Sequence, residues 1–211
     1  EKRIDLRHLP FVTIDGEDAR DFDDAVYCEK NASGWKLFSG GWKLYVAIAD
    51  VSHYVKVGSA LDEEATVRGN SVYFPDRVVP MLPFELSAEA CSLKENEDRP
   101  CLAVEMVFSE NGHKKSHRFI RGRMKSAAKL SYEEAQAAID GKPGGRAGEL
   151  LESVLRPLWG AYAAVSKARD ERSPLNLDMP ERRIQFNEQG EITGITTKTR
   201  FDAHRLIEEF M

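Results

Sequence analysis

Residues 13–25 read TIDGEDARDFDDA, and five aspartates, Asp15, Asp18, Asp21, Asp23 and Asp24, fall within ten consecutive positions. Like charges so crowded repel unless something cationic joins them. Carboxylate oxygens are hard ligands, and with no His or Cys among them the run suits Mg²⁺, Mn²⁺ or Ca²⁺ better than Zn²⁺. The competing reading is a solvated acidic loop. Working outward, Pro10, Phe11, Val12, Thr13 and Ile14 form a short apolar, β-prone run before the acids, and Ala25, Val26 and Tyr27 resume one after them. The stretch therefore reads as strand, loop, strand. Phe22 interrupts the carboxylates, and an aromatic there fits a partly buried, shaped loop better than a tail in water. An EF-hand fails on spacing, since a loop starting at Asp15 has Val26 at its twelfth position and one starting at Asp18 has Asp23 at its sixth, where glycine is needed.

The chain has 211 residues, 42% hydrophobic and 31% charged, which is ordinary globular usage and enough for one sizeable domain. Cys28, Cys91 and Cys101 are odd in number and form no C-x-x-C pair, which argues for small core residues in a reducing compartment and against a structural zinc. The N-terminal EKRIDLRHLP is charged, and no stretch has the length of a signal core or a membrane span, so the expectation is a cytoplasmic protein without a membrane partner.

Further along, Trp42 to Asp50 alternates as a strand, and Ser59 to Arg68 reads as a short helix capped by Ser59. SVYFPDRVVPMLP carries Pro75, Pro80 and Pro83 and is expected to be an extended, stiff loop. A short helix over Glu85 to Ser92 follows, then a strand over Leu102 to Phe108 that turns at Asn111-Gly112. Ser131 starts a helix ending near Gly141. Leu151, Leu155, Leu158, Tyr162 and Val165 line one face of a longer helix that Pro157 should kink or split. Leu175 to Leu177 gives no clean strand, whereas Ile184 to Phe186 and Ile192 to Thr197 read as a second hairpin, and a last helix begins near Asp202. Gly-Trp-Lys-Leu occurs at 34–37 and again at 41–44, read as a hairpin-loop insertion. The fold class is α+β, with a mixed, mainly antiparallel sheet and packed helices.

Net charge is −5, yet the positive charge is concentrated locally. No acid lies between Asn111 and Tyr132, while Lys114, Lys115, Arg118, Arg121, Arg123, Lys125 and Lys129 do, with His113 and His117 beside them. Such a stretch either neutralises phosphates or is a solvated strand face. Alternation of Lys115, His117 and Phe119 against Ser116, Arg118 and Ile120 indicates an extended strand with long basic side chains aligned along it.

The order of motifs, DLRHLPFVTIDGEDARDFDDAV, then IADVSHYV, ALDEEA, RGNSVYFP, PMLP, CSL and FDAHRLIEEFM, resembles the catalytic RNB domain of the ribonuclease II and ribonuclease R exoribonucleases, closer to ribonuclease R. The match spans nearly the whole chain. The resemblance implies Mg²⁺-dependent (or Mn²⁺-dependent), processive hydrolysis of single-stranded RNA from a free 3′ end, releasing 5′ mononucleotides. It implies that Asp15, Asp21, Asp23 and Asp24 form the catalytic and metal-binding set, with Asp23 the most sensitive to change and Asp18 outside it. Tyr73 matches an aromatic that clamps a terminal base and Tyr132 another RNA-channel aromatic; by themselves both would more often be half-buried core residues. Arg118, Arg121 and Arg123 are the candidate phosphate contacts.

Family members continue past the last helix to a segment rich in S-P-I-R-R-Y with a phosphate-binding arginine, and carry flanking RNA-binding modules. The expectation is thus a partial RNB domain over residues 1–211, truncated on its C-terminal side, with little or no activity alone and a monomeric full-length parent. The alternative is a non-catalytic RNA-binding portion of a larger RNA-processing protein.

Overall fold

The computed structural model describes residues 2–31, 40–175, 182–197 and 199–211. Its strands in chain order are β1 (Ile4–Asp5), β2 (Phe11–Asp15), β3 (Asp24–Lys30), β4 (Trp42–Ala49), β5 (Val72–Tyr73), β6 (Val78–Val79), β7 (Asp98–Phe108), β8 (Lys114–Ser131), β9 (Arg182–Phe186) and β10 (Ile192–Thr197). The α-helices are α1 (Val51–Tyr54), α2 (Ala60–Arg68), α3 (Tyr132–Ile139), α4 (Gly145–Glu149), α5 (Arg156–Asp170) and α6 (Asp202–Phe210), and Glu85–Ala90 and Leu151–Leu155 are π-helical.

The main sheet runs β1-β8-β2-β3-β4-β7, and β7 also pairs with β8, so β8, β2, β3, β4 and β7 close into a ring. Closure depends on the 18-residue length of β8. Its first two thirds pair antiparallel with β7, from Phe108↔Lys114 to Asp98↔Lys125, and its last third pairs parallel with β2, from Phe11↔Ser126 to Asp15↔Ser131. The parallel contacts of β8 with β1 and β2 make the sheet mixed, and the remaining pairs are antiparallel. This is the α+β, mainly antiparallel arrangement expected from the sequence.

One face carries Phe11, Ala25, Tyr45, Ala47, Ala103, Ile120 and Met124, all buried, joined by Leu6, Phe22, Cys91 and Leu93. Phe11 of β2 meets Tyr45 of β4 edge-on at 6.3 Å although β3 lies between their strands, as side chains converging inside a ring should. The other face, with Val12, Ile14, Val26, Leu44, Val46 and Leu130, is covered by Ala135 and Ala138 of α3, Leu158 and Ala161 of α5 and Leu206 and Phe210 of α6. Alternate residues of β2 and β3 thus enter opposite cores, which explains why both strands read as continuous apolar runs.

Local signals act as their chemistry dictates. Ser59 accepts from the Asp62 N–H, and Ser131 and Glu134 form a reciprocal capping box at the start of α3. Gly112 sits at φ +75 in the β7–β8 turn, where a Cβ would lie 2.0 Å from the Ala164 carbonyl oxygen of α5, so the turn packs directly on that helix. Pro157 splits the long helical pattern instead of kinking it: the π-helical segment ends at Leu155, and α5 takes Pro157 in its first turn, where a missing N–H costs no helix bond.

Two expectations are corrected. The proline-rich stretch is not wholly irregular, because β5 and β6 pair as Val72↔Val79 and Tyr73↔Val78, with Pro75 in the turn and Pro80 just beyond β6, where neither must donate to the ladder. The strand read as Leu102 to Phe108 begins at Asp98. The first Gly-Trp-Lys-Leu copy and residues 176–177 lie outside the described residues. All three cysteines are buried and free. Among the described residues no helix is long and apolar enough to cross a membrane.

Candidate active site

Asp15 ends β2 and Asp24 begins β3, so the strand pairing itself brings the two carboxylates to one end of the sheet. Between them residues 16–23 adopt no helix or strand. Phe22 turns inward and is 6% exposed. Its neighbours Asp21 and Asp23, with Asp15, Asp18 and Asp24, line an open cleft of about 820 Å³, whose opposite wall includes Tyr73, Asp76, Arg77, Pro80 and Phe84. Tyr73, 66% exposed, reaches across from β5, and its hydroxyl donates to Asp21 Oδ2 at 3.4 Å.

The electrostatics of the cleft are those of uncompensated like charge. Asp24 is pushed up to about 6, first by burial and then by Asp15 and Asp23. Its Oδ2 is buried with no hydrogen-bond partner. The carboxyl of Asp23 is also raised; it is solvent-accessible, but the cleft walls displace part of its water, and Asp21 and Asp15 add repulsion. The Tyr73 phenol is raised by lost hydration and then by Asp21. Asp15 Oδ1 accepts from the Gly16 N–H at 2.7 Å.

Among the described residues no group of three or more His, Cys, Asp or Glu side chains stands close enough together to hold a metal ion as placed. By its chemistry the donor set nonetheless suits a hard divalent cation: the donors are carboxylate oxygens, one of them orphaned, and two carboxyls are held above their ordinary range, first by burial and then by one another's charge.

The other candidates divide. Tyr132 does not line the cleft; its ring stacks on His204 of α6 at 3.8 Å and 15°, and it borders a neighbouring cavity of about 450 Å³ with Gly16, Glu17, Asp18, Arg182 and Arg183. Burial raises its phenol first, with Asp15 and Asp24 adding to the effect. Asp18, expected outside the metal set, pairs with Arg183 of β9 at 2.9 Å. Lys115, His117, Phe119, Arg121 and Arg123 alternate with Ser116, Arg118 and Ile120 along β8, as the sequence indicates. None of Arg118, Arg121 and Arg123 lines the cleft, however. Arg118 pairs with Glu105 at 3.2 Å, Arg121 reaches Asp50 at 3.3 Å and Ser52 at 2.9 Å, and Arg123 is exposed on the outer surface. Sequence reasoning missed Asp76, Arg77 and Phe84 as cleft residues. The three prolines around them hinted at a shaped wall but not at what it faces.

A family model described as the RNB domain matches residues 3–211. The chain belongs to the RNB domain family. It is 48% identical over 210 residues to ribonuclease R of Vibrio parahaemolyticus, and 46% identical over 210 residues to ribonuclease R of Escherichia coli. Each alignment covers 99% of this chain, and 24% and 25% of the respective relative. The structure of Mycoplasma genitalium ribonuclease R in complex with ribose-methylated single-stranded RNA superposes with a TM-score of 0.91 at 30% identity, covering 99% of this chain and 32% of that one. The RNB chain thus spans about a quarter of the length of the curated relatives it matches.

Proposed function

We propose that this RNB domain serves a processive 3′-to-5′ exoribonuclease that hydrolyses single-stranded RNA from its free 3′ end and releases 5′ mononucleotides. The observation that carries the reading is the convergence of Asp15, Asp21, Asp23 and Asp24 on one cleft whose far wall presents the exposed Tyr73 ring.

In this proposal Asp15, Asp21, Asp23 and Asp24 hold Mg²⁺, with Mn²⁺ able to replace it. A cation held there would supply activation of a water and offset the charge on the leaving oxygen of an in-line displacement. The hydrolysis forms a bond from the water oxygen to phosphorus and breaks the one between phosphorus and the 3′ oxygen of the penultimate nucleotide, which leaves with a proton, balanced by the one the water gives up, as the new 3′ hydroxyl. Asp24, with its carboxyl near 6, is mostly ionised at neutral pH and able to ligate. Tyr73 stacks on a base without selecting among bases, because every base offers a π face. Arg121 and Arg123, on the outer strand surface, are assigned to RNA outside the cleft, Arg118 to the strand's other side, and Tyr132 to supporting the acidic loop from behind as well as to the RNA path. We further infer a cytoplasmic, monomeric parent protein with no membrane partner.

A second reading, RNA binding without chemistry, draws on the open arrangement of the carboxylates. Among the described residues six aspartates and only two arginines, Arg20 and Arg77, line the cleft, and Arg77 is already paired with Asp76 at 2.9 Å. Low turnover by the 211-residue chain alone follows from that imbalance. A single-turnover assay separates the two readings: with the chain in excess over a 5′-labelled oligonucleotide and Mg²⁺, the exoribonuclease reading expects a slow ladder shortening one nucleotide at a time and abolished by EDTA. RNA that is bound and stays uncut both by the chain and by its full-length parent supports the second reading.

A further inference from the structure

Residues 16–23 lie outside regular structure, and around Phe22 their backbone groups find partners in Ser92, Leu93 and Ala49, none of which lines the cleft. The Phe22 N–H donates to Ser92 Oγ at 3.0 Å, and the same hydroxyl lies 3.5 Å from the Arg20 carbonyl. Leu93 N–H donates to the Phe22 carbonyl at 2.8 Å, and Ala49 N–H to the Asp23 carbonyl at 2.8 Å. A hydroxyl has one proton and two lone pairs, so it accepts and donates at once. Ser92 therefore bridges the backbone on both sides of Asp21. It is fully buried, and its own carbonyl accepts from Arg99 Nε at 2.9 Å, which fixes it in turn. Lys129 of β8 adds a second point: its Nζ donates to the Ala19 carbonyl at 3.3 Å and sits 4.8 Å from the Phe22 ring centroid.

Phe22 connects this underside to the cleft. Its ring is buried in the same core as Leu93, Cys91 and Phe11, while its neighbours Asp21 and Asp23 line the cleft. A rotation of the peptide units around Phe22 moves both carboxylates. Repulsion among Asp15, Asp21, Asp23 and Asp24 acts to produce such a rotation, and the hydroxyl and ammonium contacts oppose it.

We propose that Ser92 and Lys129 are positioning residues, a brace beneath the acidic loop that acts through Phe22 to aim Asp21 and Asp23 and so sets the cleft's affinity for a divalent cation. The proposal rests on the exoribonuclease reading for its purpose, but the brace itself is measurable without RNA or metal. Supporting partners of metal ligands are worth about 10–100-fold in affinity or activity, and that is the loss expected for Ser92→Ala in calorimetric titration of the 211-residue chain with Mn²⁺. In metal-free protein the Phe22 amide should exchange about tenfold faster or more, the equivalent of one lost hydrogen bond, while the Val26 and Val46 amides keep the parent rates. Ser92→Thr, which retains the hydroxyl, should restore protection.

Lys129→Met gives a test on an exposed residue where folding is not at risk. Coulomb's law alone says that deleting a cation near carboxylates tightens Mn²⁺ binding; the brace says that it weakens, and that Lys129→Arg recovers it. Tighter binding in Lys129→Met overturns the role of Lys129. A folded Ser92→Ala with Mn²⁺ affinity and Phe22 exchange both within about threefold of the parent, the range of an inert substitution, overturns the brace. A parent chain that takes up no Mn²⁺ overturns instead the exoribonuclease reading, with the exchange measurement still judging whether Ser92 holds the loop.

Discussion

Replacing Asp24 with Asn should stabilise the metal-free protein at pH 8, with a gain that shrinks as the pH falls. The carboxyl of Asp24 lies at about 6 in the folded chain against an ordinary 3.8, so between those values the folded state holds more proton than the unfolded state. Stability contributed by this group is therefore fully present below the unfolded value and lost as pH rises through the folded one. About two units at 1.36 kcal/mol each gives roughly 3 kcal/mol lost by pH 8, and about half of that if water reaching the partly buried side chain relieves the charge. At pH 4.5 the same linkage leaves only about a third of the effect. Asn keeps the shape without the charge, so the variant should melt later by about 3–12 °C at pH 8, taking 2–4 °C per kcal/mol for a chain of this size. Thermal unfolding in EDTA across pH 4.5 to 8 measures this, and added Mg²⁺ should narrow the gap by stabilising the parent alone. A gain that is absent at pH 8, or equal at both ends of the range, refutes the assignment of charge strain to Asp24.

Phe22→Ala should cost about 3–5 kcal/mol in urea unfolding, the range for a buried phenylalanine, because the side chain is 6% exposed in the core that holds the acidic loop; a cost below about 1 kcal/mol would mean that the ring does not anchor it. Asp50→Ala should cost about 3–5 kcal/mol, since Arg3 pairs with Asp50 at 2.7 Å with side-chain exposures of 8% and 3%, and the change takes the carboxylate away from a buried guanidinium; a loss typical of a surface pair would contradict that burial. Tyr73→Ala should weaken binding of a short single-stranded RNA by about 1–3 kcal/mol in fluorescence titration, with the salt dependence unchanged because no charge is removed; a changed salt slope would mean that the contact is not stacking.

The elements legible in the sequence are those whose causes are local. Asn111-Gly112, between the apolar run ending at Phe108 and the basic alternating one, announces the β7–β8 hairpin, and Ser131 with Glu134 announces α3. The ring is different in kind. It depends on β2 lying parallel to the end of β8, Asp15 beside Ser131, a pairing across more than a hundred residues that no local pattern encodes. The same distinction runs through the site. Asp15, Asp21, Asp23 and Asp24 are recognisable because clustered carboxylates are chemically unusual wherever they stand. Asp76, Arg77 and Phe84 become cleft residues only when β5 and β6 are set opposite β2, and Ser92 and Lys129 are ordinary residues until the fold brings them under Phe22. The basic stretch shows the reverse: its alternation was legible, but the structure directs Arg118, Arg121 and Arg123 away from the aspartates, because alternation identifies a strand face and not its neighbours.

The most direct test of the whole account is single-turnover cleavage of a 5′-labelled single-stranded oligonucleotide by the parent protein and by Asp23→Asn, each with Mg²⁺. The account predicts that the parent shortens the RNA stepwise from its 3′ end, and that Asp23→Asn binds the same RNA within about threefold, as an isosteric change that leaves the Tyr73 ring in place should, yet leaves it uncut. A ladder that persists in Asp23→Asn would contradict it.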